Sequence, residues 1–96
     1  MNQKLGVNNR QALPSKESVE QVESRADFAG FVGSLLADLR EKPEEWENND
    51  LASFLGAVKA WIEDMDGYYK NIGERTPEHP SWRTLAQILL AAKSYE

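Results

Sequence analysis

Apolar side chains at Phe28, Phe31, Val32, Leu35, Leu36 and Leu39 recur at intervals of three and four. That spacing predicts an amphipathic helix over residues 25–42 with one continuous apolar stripe. Ser24 is placed to cap its first turn, with Asp27 three residues later as a weak capping box, and Pro43 stops it. A second stripe, Leu51, Phe54, Leu55, Val58, Trp61, Ile62, Met65 and Tyr69, predicts a helix from an Asp50 cap to about residue 69, where Gly67 loosens the last turn. Residues 70–80 are rich in Asn, Gly and Pro and read as a loop. Ser81 then caps a third helix running to about Lys93, whose apolar face is Leu85, Ile88, Leu89, Ala92 and Tyr95.

The chain before the first stripe reads differently. Residues 1–18 carry no apolar periodicity and are expected to be a flexible arm, and residues 18–24, with Val19 and Val22 three apart, an extended or irregular strap, with a short helix turn as the alternative. Burying three stripes against one another gives a mainly all-α, compact three-helix domain over residues 19–96. Its core is expected to hold Phe31, Leu35, Phe54, Val58, Trp61, Leu85 and Leu89 nearly fully buried. Behind the first stripe, Ala26, Gly30, Gly33 and Ala37 form a small-residue face. The strap is the first expectation for what lies there, a bare face that tolerates glycine the second, and a second subunit the third. A monomer is favoured, with a dimer through Gly30 and Gly33 as the alternative.

Composition narrows the function classes. A chain of 96 residues makes one domain. With no cysteine it has no disulfide, thiolate metal site or cysteine nucleophile. No 18-residue apolar run or signal-peptide core occurs, so a cytoplasmic protein without a membrane span is expected. The net charge of −5 is uneven: residues 26–66 hold ten acidic and three basic groups, densest at Glu41, Glu44, Glu45, Glu47 and Asp50. Such a surface repels nucleic acid and steers a basic partner toward it. The bland alternative is that these carboxylates only keep a small domain soluble.

Candidate chemistry is sparse. His79 is the sole histidine, in a loop without helically spaced ligands or a second titrating group. Asp64-Met65-Asp66-Gly67 fails as a calcium loop, which needs Gly at the sixth position and Glu at the twelfth; here Gly67 is fourth and Arg75 twelfth. No cofactor, metal or catalytic residues are therefore assigned, and the chain is not expected to be an enzyme. Trp61 sits mid-stripe and belongs to the core. Trp46 lies at a joint between helices, where an indole serves either as a structural plug or as a half-exposed anchor. Asn48 and Asn49 beside it are read as backbone-bonding turn residues.

The ordered set Phe28/Phe31, Trp46-Glu47-Asn48, Leu51, Trp61, Tyr69, Pro80-Ser81-Trp82 and Tyr95-Glu96 resembles a small bacterial domain family of unknown function over residues 19–96. The resemblance implies a stand-alone helical domain, and some small domains of this type look like immunity or regulatory proteins. The expected function is binding of another protein, of basic surface, through Glu44, Glu45, Trp46 and Glu47. The alternative is a small-molecule cleft near Trp46, Tyr68, Tyr69 and Trp82.

Overall fold

The computed structural model describes residues 13–95, which hold four α-helices and no strand. Helix α1 is Lys16–Glu20, α2 Arg25–Glu41, α3 Leu51–Asn71 and α4 Trp82–Ala92, with a 3-10 turn at Pro43–Glu45. The mainly all-α expectation holds, and each of the three long helices starts at its predicted cap. The Ser24 hydroxyl accepts from the Asp27 N–H at 3.1 Å, Asp50 from the Ser53 N–H at 2.8 Å, and Ser81 from the Thr84 N–H at 3.1 Å. Asp27 returns the favour one residue further out, accepting from the Glu23 N–H at 3.0 Å.

Two boundaries differ from expectation. Helix α3 runs through Gly67 to Asn71 and is closed two residues later by Gly73, whose φ of 76° places it in the left-handed region. The Gly73 N–H donates to Lys70 O and the Glu74 N–H to Tyr69 O, a Schellman closure that satisfies the terminal carbonyls. The strap is only partly irregular, since α1 occupies its first half. Ser15 and Ser18 cap each other's backbone N–H groups reciprocally, at 3.1 and 2.8 Å. This capping box uses serine where Glu or Gln is the usual partner, so its signature was not visible in the sequence. Of the expected arm, residues 1–12 lie outside the described residues, while Lys16–Ser18 belong to α1.

Helix α4 lies at the centre. Helices α1, α2 and α3 each pack along it, whereas α2 and α3 share no comparable direct interface. One side of α4 joins Val19, Val22, Phe31, Leu35 and Trp46 through Ala86, Leu89 and Leu90. The other side meets Trp61 and Tyr69 through Leu85, Ile88 and Ala91. A helix apolar most of the way round is one surrounded by protein, and Ala86 and Ala92 have no exposed surface.

This arrangement leaves α2 and α3 splayed. Phe31, Leu35 and Trp61 are buried as expected, but Phe54, Val58, Leu85 and Leu89 are only half-buried. The outer edges of both stripes face solvent at Val32, Leu36, Leu51, Leu55 and Ile62, with Leu51 73% and Leu55 55% exposed.

The small-residue face of α2 is also open. Val19 and Val22 turn into the core instead of covering it, and a Cβ added at Gly30 or Gly33 would meet nothing within 4 Å. The strap therefore borders the small-residue face, sharing a depression with it through Ser18, Gln21 and Val22, but does not cover Gly30 or Gly33. Both positions are interior to α2, so Gly30→Ala and Gly33→Ala are each expected to stabilise by about 0.5–1 kcal/mol. Urea unfolding checks this; a loss of stability would show that another surface covers the stripe.

Candidate partner-binding site

The joint between α2 and α3 is built around an inward-turned tryptophan. Pro43 opens the 3-10 turn, the Glu45 N–H donates to Lys42 O and the Trp46 N–H to Pro43 O, and the chain then becomes extended at Trp46. The indole is 6% exposed, and its Nε1 donates to Asp38 Oδ2 at 2.8 Å. Lys93 Nζ donates to the same oxygen at 2.9 Å and sits 5.5 Å from the centre of the Trp46 ring. Phe54 packs against the ring with centroids 6.0 Å apart. A side chain this enclosed is a plug between α2, α3 and α4. The expectation of Trp46 as a half-exposed anchor is corrected.

The pairing of Asp38 with Lys93 does not follow from helix periodicity, yet the sequence carries a signal for it. Asp38 falls three residues after Leu35 and seven after Phe31, on the apolar face of α2, where a charge requires partners. Burial pushes its carboxyl toward the neutral form. The hydrogen bonds from Lys93 and Trp46 and the charges of Lys93 and Lys42 outweigh that, leaving it below the usual aspartate value.

Asn48 ties the joint to the end of α4. Its backbone N–H donates to Lys93 O at 3.2 Å, and its Nδ2 donates to Ala92 O at 2.9 Å and Tyr95 O at 2.8 Å. One side chain thus occupies carbonyls that a helix terminus leaves without partners. Asn49 Nδ2 donates to Pro43 O, closing the turn. Both asparagines bond backbone, as expected of turn residues. Asp50 receives the Ser53 N–H and hydroxyl, which hold its carboxyl below the usual value.

With the indole inside, Glu44, Glu45 and Glu47 remain exposed on the outside of the joint. Residues 40–50 carry five carboxylates against Arg40 and Lys42. The joint also closes one end of an open groove of about 300 Å³ between α2 and α3. Leu35, Leu39, Trp46, Phe54 and Leu89 line its depth, Val32, Leu36 and Leu51 its edges, and Asn48, Asn49 and Asp50 its joint end. Asp50 is the only charged residue among them.

The four residues expected to share a small-molecule cleft do not come together in one, although Tyr68 and Tyr69 touch, with ring centres 5.0 Å apart. Trp46 sits by the C-terminal end of α4, whereas Trp82 begins that helix roughly 16 Å away along its axis and packs on Phe28. Tyr68 and Tyr69 line a separate depression with Lys16, Arg83, Thr84 and Gln87. Tyr69 is buried, which raises its phenol above the usual range. Asp64 accepts from the Tyr95 hydroxyl at 2.6 Å and Asp66 from the Thr76 hydroxyl, so these carboxylates serve the fold. His79 is exposed, and among the described residues no three acidic or histidine side chains converge as a metal site. Nor is any helix among them long and apolar enough to cross a membrane.

These features define a small all-α domain with an acidic interhelical joint and an open apolar groove. The chain belongs to the family described as Family of unknown function (DUF7660), whose model matches residues 24–96. The match begins at the Ser24 cap of α2 and takes in the joint, the groove and all of α4. No curated protein and no solved structure matches the chain.

Proposed function

We propose that this domain acts by binding another protein, of basic surface, at the acidic joint and the groove beside it. The role fits a small regulatory or immunity-like module without catalytic activity, in a bacterial cytoplasm, a reducing setting that suits a chain without cysteine. One observation carries the reading: apolar side chains stand exposed on facing walls, Val32 and Leu36 on α2 and Leu51 on α3, around a groove closed by a carboxylate-rich joint. Clustered apolar side chains rimmed by charge are the mark of an interaction surface. With Trp46 buried, contact falls to the groove leucines and steering to Glu44, Glu45 and Glu47.

The test is capture from a lysate of the source cell on immobilised protein, beside two variants. One is Glu44→Lys/Glu45→Lys/Glu47→Lys and the other Leu36→Gln/Leu51→Gln. A protein retained by the wild type, released by moderate salt and lost with both variants is the expected outcome. Retention of nothing, or of the same proteins by all three, would contradict the reading. Both variants alter exposed positions and are expected to keep the wild-type unfolding midpoint.

A further inference from the structure

We infer that the groove receives an amphipathic helix with basic flanks, presented by the partner protein; this rests on the protein-binding reading above. The first argument is geometric. The described residues contain no strand, so they offer no sheet edge on which an extended peptide could add. The groove walls are instead helix surfaces with ridges of regular spacing. Val32 and Leu36 stand one turn apart on α2. On α3, Leu51 and Phe54 line the groove, and from Leu51 an exposed apolar row continues past it through Leu55 and Ile62 at i+4 and i+11, about 16 Å in all. A partner helix of three or more turns matches such a ridge with apolar anchors at i, i+3, i+4 and i+7. Because α2 and α3 both rest on α4 and not on each other, an open groove of about 300 Å³ lies between them, with room for the anchor side chains of a helix laid along it.

The second argument is charge. Asp50 lies in the groove end, and Glu44, Glu45 and Glu47 stand on the chain that closes it. Residues 26–66, which supply both walls, carry a net −7. A symmetric pair of copies joined through this face would set the same acidic joints into one interface, with −5 on each chain. Lysine or arginine on the flanks of an incoming helix instead meets carboxylates and excludes like-charged helices. The occupant is therefore a basic amphipathic helix and not a second copy.

The experiment uses two synthetic peptides of about 18 residues, near five helical turns. They share leucines at i, i+3, i+4 and i+7 and differ only in lysine or glutamate on the flanks. Each is titrated into the full chain with isotope-labelled methyl groups and followed by NMR. The lysine peptide is expected to bind saturably and shift the methyls of Val32, Leu36, Leu51 and Leu55, and the glutamate peptide not to bind. Leu36→Gln/Leu51→Gln should weaken the lysine peptide by about tenfold or more, as loss of an interface anchor does. Glu44→Lys/Glu45→Lys/Glu47→Lys should weaken it as well and admit the glutamate peptide. Absence of binding, equal binding of both peptides, or shifts centred away from the groove would overturn the inference. So would methyl shifts that track protein concentration without peptide, which would assign the face to a second copy. If the peptides fail while lysate capture still depends on the joint glutamates, the helix falls and the binding reading stands; if capture fails too, both fall.

Discussion

Trp61→Ala is expected to lower stability by about 3–5 kcal/mol, a large part of the total for a domain this small. The size follows from what the indole joins. Trp61 is 6% exposed, its ring centre lies 5.5 Å from that of Tyr68, and with Tyr69 and Ile88 it forms the cluster that seats α3 on α4. Since α3 has no comparable contact with α2, this interface is its main attachment to the rest of the fold. Truncation leaves a cavity in the larger of the two clusters that hold α3, the other being Phe54 against Trp46. Trp61→Phe keeps a ring there and is expected to lose much less. Thermal unfolding reads the result, with a fall of at least about 12 °C expected for the alanine variant. An unchanged midpoint would remove Trp61 from the core.

The second large effect is expected at Asp38. Replacing it by alanine removes one oxygen that accepts from both the Trp46 indole and the Lys93 ammonium, leaving two donors without their acceptor. Lys93 keeps about a fifth of its side chain in solvent and can turn outward, which moderates the loss, whereas the enclosed indole N–H cannot. The expected destabilisation is about 3 kcal/mol, between a lost charged hydrogen bond and a fully broken buried pair. Asp38→Asn keeps an acceptor for Trp46 without the attraction for Lys93, and should fall between the wild type and the alanine variant.

The pH dependence of the Asp38 contribution has a definite sign. In the folded state its carboxyl lies below the usual 3.8, so near and below that pH the unfolded chain binds the proton more readily. The contribution is present in full above the unfolded value and disappears as pH falls through the lower folded one. Urea unfolding between pH 5 and pH 2, run in parallel, should show the gap between wild type and Asp38→Ala narrowing toward acid. A gap independent of pH would mean that the carboxylate charge contributes nothing.

The three long helices were legible because their stripes and caps agree locally: Ser24, Asp50 and Ser81 each receive the N–H three residues on. Which stripe would be covered was not legible. Periodicity marks the apolar face of a helix, but the neighbours decide how much of it meets protein. Leu51 and Leu55 therefore read as core and are exposed. The stripe Leu85, Ile88, Leu89, Ala92 and Tyr95 predicts one buried face for α4, although Ala86, Leu90 and Ala91 continue its apolar surface around the cylinder. That excess was the sign that it lies in the middle. At the joint, the carboxylates and the turn-forming asparagines were visible, but the direction of Trp46 was not. It depends on Asp38, eight residues earlier, and Lys93, far later in the chain, meeting at one oxygen.

The most direct test of the acidic joint and its groove as a protein-binding site is the association rate of the captured partner across a range of ionic strength. For the wild type the rate should fall as salt rises, because carboxylates steer the encounter. With Glu44→Lys/Glu45→Lys/Glu47→Lys it should be slower at low salt and nearly flat, while Leu36→Gln/Leu51→Gln should leave it almost unchanged and speed dissociation instead. Identical rates and salt slopes for the wild type and both variants would contradict the account.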